Sequence, residues 1–78
     1  MKYELYEAVD TRDNRPMLWL HDLDSRRIAT FCPKWAPSRI KHKTAAAPST
    51  IVWEPELVML EHAALGQGKQ IDSWSFDS

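Results

Sequence analysis

A chain of 78 residues is one domain and no more, and at that length folding buries only about 60% of the surface that the unfolded chain exposes. Its 44% apolar and 27% charged residues match a globular interior and exclude a disordered composition, and no run approaches the roughly 18 apolar residues that a membrane span needs. The net charge of −1 is low for a nucleic-acid binder, but it hides a segregation: residues 26–43 carry six bases and no acid, set between two acidic ends.

Residues 2–9 alternate, with Tyr3, Leu5 and Val9 on one face and Glu4 and Tyr6 on the other, the period of a half-buried strand. Residues 10–16 are dense in turn formers. Met17 to His21 predicts a second strand, apolar on both faces and therefore central. Asp22 to Arg26 reads as a hairpin connection, and Arg27 to Cys32 as a third strand. Three short strands with short links predict an antiparallel meander.

Pro33, Pro37 and Pro48 then break the pattern, and residues 33–49 read as an irregular, Pro-bounded basic loop with room for a short helical turn. A connection of that length in a small domain is usually functional. Ile51 to Trp53 could form a brief strand. A helix is expected over 54–65, with Pro55 at its first position, Glu54 and Glu56 at its positive end, Leu57, Leu60 and Ala64 along one stripe, and Gly66 ending it. Residues 70–76 predict a final strand. The expected fold is α+β: a three-stranded meander, a further C-terminal strand, and one packed helix.

The chemistry-bearing residues do not assemble a catalytic constellation. His21, His42, His62 and Cys32 lack metal-ligand spacing, so no metal site and no cofactor is expected. Cys32 reads as a small buried apolar residue at a strand end rather than a nucleophile. Gly66-Gln67-Gly68-Lys69 follows a helix, whereas a phosphate loop precedes one. A non-enzymatic protein is expected.

The basic segment is the stronger candidate. Lys34, Trp35, Arg39, Lys41 and Lys43 form its loop part, with Arg26 and Arg27 as flanking charge. Trp and Arg are the residue types enriched at protein interfaces, and segregated charge speeds encounter. Asp10, Asp13, Asp22 and Asp24 form a rival acidic surface, able to imitate phosphates. The expected function is stoichiometric binding to a host protein or protein–nucleic-acid complex, as in an anti-CRISPR-like inhibitor of a defence complex encoded by a phage or mobile element. The alternative is a single-strand nucleic-acid binder that uses the basic and aromatic residues of 26–43. One cysteine and the absence of an apolar leader at Met1-Lys2-Tyr3-Glu4 predict a cytoplasmic protein, in the host cytoplasm if phage-encoded, with no membrane partner. A monomer is expected, or a homodimer if the 54–65 helix is surplus to the core.

Overall fold

The computed structural model describes residues 1–54 and 68–76. Among them, four strands form one antiparallel sheet and one α-helix packs on it, so the α+β class expected from the sequence is the fold observed. The strands are β1 (Lys2–Asp10), β2 (Arg15–Asp22), β3 (Arg27–Phe31) and β4 (Lys69–Ser75), in the order β3-β2-β1-β4. The meander and the further C-terminal strand are both present, and β2 is central. Its two-faced apolar pattern follows from that position: Leu18 and Leu20 point to one face, Met17 and Trp19 to the other.

The first face carries the larger core. Tyr3, Leu5, Leu18, Leu20, Ala29, Phe31 and Trp74 lie on it, and Ile40 and Ile51 close it from outside the sheet. Tyr3 stacks on Trp74 at 5.8 Å between ring centroids, and burial pushes the Tyr3 hydroxyl pKa above its ordinary value. The second face holds Ala8, Trp19 and Ile28, with Tyr6 and Met17 against them; the buried Trp19 indole donates to the Ala8 carbonyl at 3.1 Å. Val9 departs from the expected pattern and is 40% exposed. Register and face explain it together, since Ala8 beside it is buried against Trp19 on the other face and Asp10 is buried within its turn. On one side β3 reaches only as far as Leu18, paired with Phe31, and on the other β4 reaches only Glu7, so the β1–β2 tip projects past both neighbours.

Both hairpins of the meander close on the same device. Asp10 pairs with Arg15 and Asp22 with Arg27, with four residues between each pair. In each loop the leading carboxylate accepts the backbone N–H two residues on, Arg12 to Asp10 and Asp24 to Asp22, as in an Asx turn. In each, the last loop residue is left-handed, Asn14 at φ 57° and Arg26 at φ 61°. Asn adopts that region at less cost than Arg does.

The segment expected to be an irregular loop contains the helix α1 (Pro37–Ala46), followed by a 3₁₀ turn at Pro48–Thr50. Pro37 and Pro48, expected as breaks in the pattern, bound this helix. Pro37 sits in its first turn and holds the preceding Ala36 extended, as an N-cap requires. Pro48 lies just past its end, and Lys43 sits in the last turn, where a cation suits the dipole. Cys32 is exposed rather than buried, because the chain turns away from the sheet directly after Phe31. The expected helix at 54–65 falls, but for Glu54, outside the described residues. Residues 51–54 form no strand; Ile51 is buried in the core, and the Glu54 N–H donates to the Ile28 carbonyl at 2.6 Å.

Candidate interaction surface

α1 is held on the sheet by two residues one turn apart. Ile40 is fully buried in the main core, and Thr44 is buried beside it. The Trp74 indole donates to Thr44 Oγ1 at 2.9 Å, and the Thr44 hydroxyl donates to the Lys41 carbonyl at 2.7 Å. This chain of bonds ties the helix to β4. Because Ile40 and Thr44 define the inward line, the other positions are set by the helical repeat. Arg39 and Lys43 fall along one flank and Lys41 on the opposite flank.

Trp35 marks the first flank. It sits in a turn closed by its own N–H donating to the Cys32 carbonyl, and its ring is half-buried against Phe31 at 5.2 Å. The Arg39 guanidinium lies 3.9 Å from the Trp35 ring centroid and the Lys43 ammonium 5.9 Å from it. The structure therefore gathers Trp35, Arg39 and Lys43 into one cluster, with Lys34 exposed in the adjoining turn. Among the described residues, none of Lys34, Arg39, Lys41 and Lys43 forms an ion pair; the pairs there involve Arg12, Arg27 and the N-terminus.

The flanking bases are elsewhere. Arg26 and Arg27 lie at the opposite end of β3 from Phe31, about 13 Å away at the usual rise per strand residue. Arg27 has structural partners: its guanidinium donates to Asp22 Oδ2 at 3.2 Å and to Ser25 Oγ at 2.7 Å, and lies 4.3 Å over the Trp53 ring. Arg26 is exposed at the hairpin corner.

The acidic residues proposed as a rival surface are also divided. Asp10 and Asp22 are buried, 4% and 1% exposed, and occupied by their turns. Burial alone would raise the Asp22 pKa, but the hydrogen bonds from Ser25, Arg27 and Asp24 outweigh it and hold the carboxyl below its ordinary value. Asp10 binds Arg12, which also reaches Glu54; these bonds, to Asp10 first and Glu54 next, raise the Arg12 pKa. The Glu54 carboxylate in turn accepts from Thr30. Asp13 and Asp24 remain exposed, and Asp24 accepts the Lys2 N–H and lies 3.6 Å from the N-terminal ammonium.

The residues that sequence reasoning missed are Ile40 and Thr44, which orient the surface rather than form it. Pro37 and Pro48, at the two ends of α1, were the available signal. Among the described residues, no group of three His, Cys, Asp or Glu could hold a metal ion, and no helix is long and apolar enough to cross a membrane. No family model, curated protein or solved structure matches the chain.

Proposed function

We propose that the protein is a small non-catalytic binding module that docks the basic surface of α1 against an acidic surface on a larger protein. The observation that carries this reading is the cluster of Arg39 and Lys43 on Trp35, cations without a carboxylate partner among the described residues. In the same molecule Asp10 and Asp22 are engaged internally by Arg12 and Arg27. Bases on a helix that no carboxylate pairs with among the described residues attract an anionic partner and speed its encounter. The small size suits stoichiometric blocking of a larger assembly, and the proposal extends to a host defence complex of the anti-CRISPR kind, with the protein encoded by a phage or mobile element.

Single-strand nucleic-acid binding is the second reading, and the ring contacts count against it. Stacking a base needs a free aromatic face. Phe31 is only 9% exposed, and Trp35 is held against Phe31 and covered by Arg39. The two readings separate in a binding titration over a range of salt, using a labelled poly-glutamate peptide and a labelled oligothymidine of matched length. The proposal expects the peptide to bind more tightly at every salt concentration. Tighter binding of the oligothymidine, falling steeply with salt, would overturn it.

A further inference from the structure

The six bases of residues 26–43 are not equivalent once folded, and this selects a partner chemistry. We infer that the contact is made by the Trp35 flank of α1 alone, through Arg39 and Lys43, and that it recognises a pair of carboxylates about one helical turn apart on an acidic protein segment. This rests on the binding-module reading above and narrows it.

Arg39 and Lys43 are four residues apart on one helical line, so their Cβ atoms lie about 5–6 Å from each other. Both cations share the Trp35 ring, at 3.9 and 5.9 Å. The Arg39 guanidinium sits over the indole, and its N–H groups form a planar fork that matches a carboxylate with two parallel bonds. The ring also restrains the side chain before any partner arrives, which lowers the entropy lost on binding. Lys41 has no aromatic contact among the described residues and lies on the other side of the Ile40–Thr44 line. A free lysine would lose its full rotamer freedom on binding. Arg27 is already committed to Asp22, Ser25 and Trp53.

The test is the affinity of the full chain for the labelled poly-glutamate peptide in four forms: wild type, Arg39→Lys, Lys43→Ala and Lys41→Ala. All three substituted side chains are exposed or half-buried, so the fold is not at risk. Arg39→Lys keeps the charge and removes the fork. The inference expects Arg39→Lys and Lys43→Ala each to weaken binding about two- to fivefold, the range for a solvent-exposed charge pair, and Lys41→Ala to leave it unchanged. If Lys41→Ala weakens binding as much as Lys43→Ala, the flank assignment fails, and if Arg39→Lys binds like wild type, recognition by the Arg39 fork fails; in either case the binding-module reading stands. If the wild-type chain does not bind the peptide, that reading and this inference fail together.

Discussion

Thr44 is the residue on which the position of α1 turns. Its hydroxyl accepts the Trp74 indole N–H and donates to the Lys41 carbonyl, in a buried setting. Thr44→Val keeps the shape and leaves the indole N–H unpartnered, which should cost about 1–3 kcal/mol. A urea titration would show a lower midpoint at unchanged slope; an unchanged midpoint would mean that the bond contributes nothing. Asp22 acts through its charge. Its pKa is lower in the folded chain, so it contributes stability above the unfolded value of about 3.9, and that contribution is lost as the pH falls through its folded value. Asp22→Asn should therefore be less stable than wild type at neutral pH, with the gap closing in acid below about pH 4. Thermal melts across that range check it, and a gap constant with pH would contradict it. Arg26 points the other way. At φ 61° it occupies a region that Asn tolerates better, so Arg26→Asn should raise stability by up to about 1 kcal/mol, seen as a higher melting temperature.

Among the elements, the strands were legible and the helix was not. Period-2 alternation marks β1 through Tyr3 and Leu5, and a run apolar on both faces marks β2 as central. The Val9 exception lay in the register, which no single strand reveals, since it depends on how far β3 and β4 extend. α1 was hidden because Ile40 is its only large apolar residue, so a helical stripe never appears; a buried threonine supplies the second anchor. The prolines drew attention as breakers, although Pro37 at the start and Pro48 beyond the end are where a helix places them. With so slender an anchor, Ile40→Ala should cost about 2–5 kcal/mol. It should also change the near-ultraviolet circular dichroism, as Trp35 and Trp74 lose the helix they pack against. Loss of stability with an unaltered aromatic signal would show that α1 does not hold those rings.

On the scale of the whole molecule, charge segregation in the sequence became a different segregation in space. The acidic first third lost Asp10 and Asp22 to two hairpin loops of one design. The basic middle split in three, because β3 carries Arg27 away from Trp35 and the helical repeat sends Lys41 away from Arg39 and Lys43. The identity of the bases was readable in advance; their grouping was not, since it depends on whether residues 37–46 coil or extend. Binding at the Trp35 flank of α1 has a direct readout in the four indole N–H signals of a proton–nitrogen correlation spectrum. The Trp19 and Trp74 indoles donate internally to Ala8 and Thr44. On titration with the poly-glutamate peptide, the Trp35 indole and the Arg39 and Lys43 amides should move, with the Trp19 indole and the Asp13 amide still. Shifts centred on the β1–β2 turn, with Trp35 unmoved, would contradict it.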